Sequence, residues 1–122
     1  MLDLNTVMLG TEDAKSLADF YAKFLGKPDY EDQGFFGWKA GSCFLMIMPH
    51  SEVKGQNEMP GRIIINFQTP DVKGEFERIK GLGVPVVQEP YQPGGAPAEM
   101  WLATFADLDG NYFQLATPMP EQ

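Results

Sequence analysis

Few side chains in this chain are equipped for covalent chemistry. It has one histidine, His50, and one cysteine, Cys43. Its serines are few and isolated, so no nucleophilic triad is in sight. His50, in "MPHSE", reads as a solvated loop residue, with a pocket-rim acid or base as its functional alternative. Cys43 opens the apolar run "CFLMIMPH" and reads as a small buried hydrophobe. Asp29, Glu31 and Asp32 cluster in "PDYEDQG". They read as a solvated turn, or otherwise as a negative rim that attracts cationic ligands. "DLDGN" lacks the further ligands of a calcium loop and reads as a hairpin turn. No phosphate-binding loop, dinucleotide fingerprint or nucleophile elbow occurs. What remains is non-covalent chemistry. Asn66 in "RIIINFQ" and Gln114 in "FADLDGNYFQLATP" set neutral amides into apolar strands, where they can orient a bound molecule by hydrogen bonding.

The elements that must position these residues follow from periodicity. Residues 3–10 read as a strand. In residues 13–25, Ala14, Leu17, Phe20, Tyr21, Phe24 and Leu25 fall on one helical face, with Asp13 as N-cap and Gly26 as stop. Residues 34–40 and 43–49 read as strands joined by Gly41-Ser42. Residues 51–61 read as a loop and 62–68 as a strand. Residues 71–82 form a second helix with Val72, Phe76 and Ile79 inward. Residues 84–88 read as a strand and the Pro/Gly-rich 89–99 as a loop. A hairpin over 100–106 and 111–117 closes the chain, its turn signalled by Asp109-Gly110. Alternation puts Phe36 and Trp38 on one strand face, Ile64 with Asn66 opposite Ile65 with Phe67, and Tyr112 with Gln114. Trp101 precedes the last hairpin.

The element order is β-α-β-β-β twice, and residue identities repeat with it. Thr11, Asp13 and Lys15 recur as Thr69, Asp71 and Lys73, shifted by 58; "LGKP" recurs as "LGVP", shifted by 57; Gly41, Phe44 and Pro49 recur as Gly110, Phe113 and Pro118, shifted by 69. Two copies of one unit are inferred, approximately residues 1–57 and 58–122, forming one domain. Each curved sheet would have a helix on one face, and the two open faces would enclose a cavity.

Bulk properties narrow the partners. With 122 residues, 43% hydrophobic and 21% charged, the chain suits one globular domain. A net charge of −8 disfavours nucleic acid and anionic membranes and is compatible with cationic ligands. A single cysteine and no leader-like N-terminus are expected of a cytoplasmic protein.

Three stretches carry a family resemblance: "LNTVMLGTEDAKSLADFYAKFLG", "IINFQTPDVKGEFERIKGLGV" and "FADLDGNYFQL". Together they span the two units, and Phe20-Tyr21, Leu25-Gly26 and Asp109-Gly110-Asn111 are the most recognisable marks. The chain resembles the vicinal oxygen chelate superfamily of glyoxalases, bleomycin-resistance proteins and extradiol dioxygenases. The resemblance implies an α+β fold, two βαβββ repeats whose curved mixed sheets surround a cavity. It also implies where metal ligands would stand: Thr6 on the first strand, Ile64 at the start of the second unit, Gln114 on the last strand, and Leu45 on the fourth strand of the first unit. None of these is an imidazole, thiolate or carboxylate, so no metal and no cofactor are expected. A buried glutamate without a cation would carry a desolvation cost that Gln114 avoids.

Three readings follow. The leading one is metal-independent binding of a small aromatic, cationic molecule in an apolar cavity. Phe36, Trp38 or Trp101 would stack on it, and Thr6, Asn66 and Gln114 would hydrogen-bond it. This resembles antibiotic sequestration by the homodimeric bleomycin-resistance branch. It leans away from an enzyme and assigns no catalytic residue. The alternative is a glyoxalase-like lyase, isomerase or dioxygenase with atypical ligands such as His50. The third is an interaction domain with a vestigial cavity.

Overall fold

The computed structural model describes residues 1–95 and 99–118. The chain forms two compact units, Met1–Gln56 and Asn57–Gln122. The first contains β1 (Thr6–Thr11), α1 (Ala14–Leu25), β2 (Tyr30–Asp32), β3 (Phe35–Ala40) and β4 (Cys43–Pro49). The second contains a 3-10 turn (Pro60–Arg62), β5 (Ile65–Gln68), α2 (Val72–Lys80), β6 (Val86–Tyr91), β7 (Leu102–Ala106) and β8 (Tyr112–Ala116). Each unit is a four-stranded mixed sheet, ordered β1-β4-β3-β2 and β5-β8-β7-β6. In each, the first and last strands pair in parallel and the rest are antiparallel. The fold is therefore α+β with two repeated units.

The repeated identities have local physical causes. After β1 and β5, the hydroxyls of Thr11 and Thr69 accept hydrogen bonds from the amides of Asp13 and Asp71. Those aspartates then cap their helices, accepting from the Ser16 amide at 3.1 Å and the Gly74 amide at 2.9 Å. At the other end, Gly26 and Gly83 take φ of 88° and 89°. A side chain would strain that backbone, which explains why both "LG" pairs recur.

Each helix covers one sheet face. Leu17, Phe20, Tyr21 and Phe24 of α1 are buried with Phe36, Trp38, Leu45 and Ile47. In the second unit Phe76, Phe105 and Phe113 stack successively, with centroids 5.2 and 5.4 Å apart, and Phe67 meets Phe113 edge-on. Edge-to-face and offset stacks of this kind add to the stabilisation from burial.

Some elements differ from expectation. Residues Tyr30–Asp32 form a strand paired with β3 rather than a turn; Gln33 and Gly34, at φ of 51° and 85°, make the tight connection. Strand β5 starts three residues later than predicted because Pro60 seeds the 3-10 turn before it. Strand β6 runs to Tyr91, so the Pro/Gly loop begins at residue 92; its residues 96–98 lie outside the described part.

The repeat register also needs correction. Leu45 pairs with Val7 and Trp38, while Phe113 pairs with Ile65 and Phe105. Leu45 therefore corresponds to Phe113, a shift of 68 rather than 69, and the residue equivalent to Gln114 is Met46. A one-residue slip exchanges the two faces of a strand. It arose because the β7–β8 connection, residues 107–111, is longer than the two-residue Gly41-Ser42 turn.

Candidate functional site

On the second sheet, alternation sends Ile65, Phe67, Phe113 and Leu115 towards α2 and Asn66, Gln68, Gln114 and Ala116 to the opposite face. Asn66 pairs with Gln114 and Gln68 with Ala116 in the parallel register. These four residues, with Leu102 of β7, Pro93 after β6, and Met100 and Thr117, line a hollow of about 520 Å³. Its lining is mostly apolar, and its polar side chains are three neutral amides and one hydroxyl. No lining residue is charged.

The amides are held unequally. Thr104, buried on β7 directly opposite Gln114, accepts a hydrogen bond from Gln114 Nε2 at 3.1 Å. The Asn66 and Gln68 side-chain amides have no hydrogen-bond partner among the described residues. One side of the hollow is fixed by its frame: the Trp101 amide donates to Thr117 Oγ1 at 2.9 Å, and the Thr117 amide donates to the Trp101 carbonyl.

The six residues expected to bind a ligand separate. Asn66 and Gln114 come together in this hollow. Thr6 lies in the first unit, where its hydroxyl donates to Asn5 Oδ1 at 3.0 Å. There it lines a smaller hollow of about 290 Å³ with Asn5, Lys39, Ser42, Cys43 and Phe44. Cys43 is half-buried there rather than enclosed in the core.

Phe36 and Trp38 are corrected to core residues. They are 6% and 2% exposed, on the face covered by α1, and the Trp38 indole donates to the Gly26 carbonyl at 2.8 Å. Neither presents a ring to the open face. Trp101 alternates away from its pocket-lining neighbours Met100 and Leu102. Its ring lies instead under Lys73 of α2, with Nζ 3.8 Å from the centroid.

The residues missed from sequence were Gln68, Thr104 and Thr117. Gln68 was accessible from its two-residue spacing from Asn66. Thr104 required the register of β7 against β8, which no local pattern supplies.

The positions that the resemblance assigns to metal ligands carry a hydroxyl (Thr6), a hydrocarbon (Ile64), an amide (Gln114) and, with register corrected, a thioether (Met46). This donor set does not fit a catalytic divalent ion. Among the described residues no three His, Cys, Asp or Glu side chains are grouped to hold one. His50 is exposed, and its Nδ1 accepts from the Glu52 amide at 3.2 Å. Asp107 is buried and organises the last hairpin, accepting from the amides of Asp109 and Asn111 and from Asn111 Nδ2.

A two-unit βαβββ architecture with a hollow on an open sheet face defines a class of protein, and comparisons agree. Residues 6–116 match the model of the glyoxalase-like domain family, and the chain belongs to that family, within the vicinal oxygen chelate superfamily. It is 28% identical over 120 residues to the uncharacterized protein YetH of Bacillus subtilis, covering 92% of this chain and 95% of that one. It shares its fold with a glyoxalase/bleomycin resistance protein/dioxygenase family enzyme of Burkholderia phytofirmans, at TM-score 0.74 and 18% identity, covering 97% and 100% of the two chains. The fosfomycin resistance protein FosX of Listeria monocytogenes aligns at TM-score 0.65 and 21% identity, covering 100% and 94%.

Proposed function

We propose that this protein binds a small, largely apolar molecule without a metal ion, in the hollow on the open face of the second sheet. The observation that carries this reading is the lining itself: three neutral amides among apolar side chains around a hollow of about 520 Å³, with no charged side chain. This is the composition of a ligand pocket rather than of a hydrolytic or redox centre. The donor types at the family's metal positions support independence from metal. The net charge of −8 favours approach of cationic molecules from a distance. Sequestration of an antibiotic by a cytoplasmic homodimer is the physiological form proposed, supported by the kinship with resistance proteins. No helix among the described residues is long and apolar enough to cross a membrane.

The test pairs elemental analysis of protein purified without chelator with a thermal-shift screen of aromatic cations and their neutral analogues. Divalent metal well below one per chain, together with ligand-dependent stabilisation, is expected. One bound divalent ion per chain, with turnover that depends on it, would replace this reading with an enzymatic one.

A further inference from the structure

We infer that the ligand's polar edge is neutral and amide-like, carrying an N–H donor beside a carbonyl acceptor, and that Thr104 positions Gln114 to read it. This rests on the proposed binding role of the same hollow.

Thr104 is 5% exposed and faces Gln114 directly across the β7–β8 pair. Gln114 gives one Nε2 hydrogen to Thr104 Oγ1 at 3.1 Å, and its carbonyl oxygen, with no partner among the described residues, remains an acceptor for a molecule in the hollow that Gln114 lines. Asn66, the partner of Gln114 across the β5–β8 pair, offers both donors and an acceptor with no competing partner among the described residues. A carboxamide, lactam or ureide edge can satisfy the two amides at once, donating to Gln114 and accepting from Asn66. Ionised groups are disfavoured at this point. A carboxylate would meet the Gln114 oxygen without a cation to compensate it, and an ammonium or amidinium would leave water with no anion in the lining. A ligand's positive charge, if present, belongs on a part that stays in solvent.

The experiment uses matched aromatic probes: benzamide, N,N-dimethylbenzamide, benzoate and benzamidine. Each is titrated into 15N-labelled protein while the side-chain amide signals of Asn66, Gln68 and Gln114 and the backbone signal of Leu102 are followed. Benzamide is expected to shift the Asn66 and Gln114 signals and to bind at least about five-fold more tightly than the other three. Thr104→Val removes the hydroxyl and should reduce the preference to about two-fold or less while the Leu102 shift persists. Thr104→Ser retains the hydroxyl and should restore the preference, which separates positioning from a packing defect. Equal or tighter binding of benzoate, benzamidine or the dimethyl amide at the same signals overturns the inference and leaves the pocket reading standing. A preference unchanged in Thr104→Val overturns the role of Thr104. Absence of any shift in the lining signals for all four probes overturns the pocket reading and the inference with it.

Discussion

Met8, Met46 and Gly37 on the first sheet stand where Asn66, Gln114 and Thr104 stand on the second. The correspondence follows the strand pairing, Met8 with Met46 and Gly37 with Met46 in one unit, Asn66 with Gln114 and Thr104 with Gln114 in the other. The covered faces of the two sheets are alike in kind, both aliphatic and aromatic. Their open faces differ: one carries thioethers and a phenyl ring, Phe44, over a glycine, and the other carries amides around a buried hydroxyl. Shared topology thus constrains the side towards the helix and leaves the far side free to specialise. Methionines there supply a deformable apolar surface. Amides supply directional contacts that must be matched.

The comparison can be broken at several points. The largest effect belongs to the faces held in common. Phe113→Ala should cost about 3–5 kcal/mol, because Phe113 is fully buried between Phe67 and Phe105. Its equivalent, Leu45→Ala, should cost about 2–5 kcal/mol. Urea unfolding checks both, and a negligible loss at either position would mean that the covered faces are not equivalent. Next comes Gly37→Thr, which copies Thr104 into the first sheet. A Cβ at Gly37 would lie 2.3 Å from Phe44 Cε1 and 2.5 Å from Met46 Sδ. Crowding should cost about 1–3 kcal/mol, less if the Met46 chain swings aside. A stable Gly37→Thr protein with unshifted Phe44 resonances would show that the open faces are more alike than their residues suggest.

A smaller effect separates the helix caps. Asp71→Ala should cost about 1 kcal/mol, measured by the urea midpoint, through loss of the bond to the Gly74 amide. The smallest effect is in acid. Hydrogen bonds from the Ser16 hydroxyl and amide hold the Asp13 carboxyl below its ordinary 3.8. A lowered folded-state pKa stabilises the protein above the unfolded value, and that contribution fades as pH falls through the lower folded one. Asp13→Asn should therefore flatten the stability profile slightly below pH 4 and leave its shape unchanged near neutrality. A profile identical to the parent's throughout the acid range would assign the cap no electrostatic share.

Much of the fold was legible because its signals are local. The Thr-x-Asp and Leu-Gly repeats encode hydroxyl-to-amide bonds and positive-φ exits that any reader of turn chemistry can find. The faces of β5 and β8 followed from alternation alone, which is why Asn66 and Gln114 were placed together. The errors about the site were mostly questions of which face is which. Phe36 and Trp38 share a strand face, yet nothing in "GFFGWKAG" says whether that face meets α1 or the open side. Trp101 was drawn to the pocket by its neighbours in sequence, although alternation sends it to Lys73. The one-residue slip that exchanged Leu45 for Met46 came from matching identities across turns of unequal length. Strand Tyr30–Asp32 was hidden because its three residues are exposed and two of them are acidic. Thr104 needed a cross-strand register, a non-local quantity.

The parallel pairing of first with last strand in each unit bears on how the chain is made. Strand β1 must wait for β4, since Thr6 pairs with Phe44, and β5 must wait for β8, since Ile65 pairs with Phe113. Neither parallel pair can form until the intervening helix and strands have been synthesised, and each such closure is an entropically costly, long-range event that slows folding. During translation, however, every partner of β1 has been synthesised before α2 is begun. The chain can thus meet its two slow steps one after the other, and the strands of the first sheet can pair before the second sheet is complete and able to compete for them.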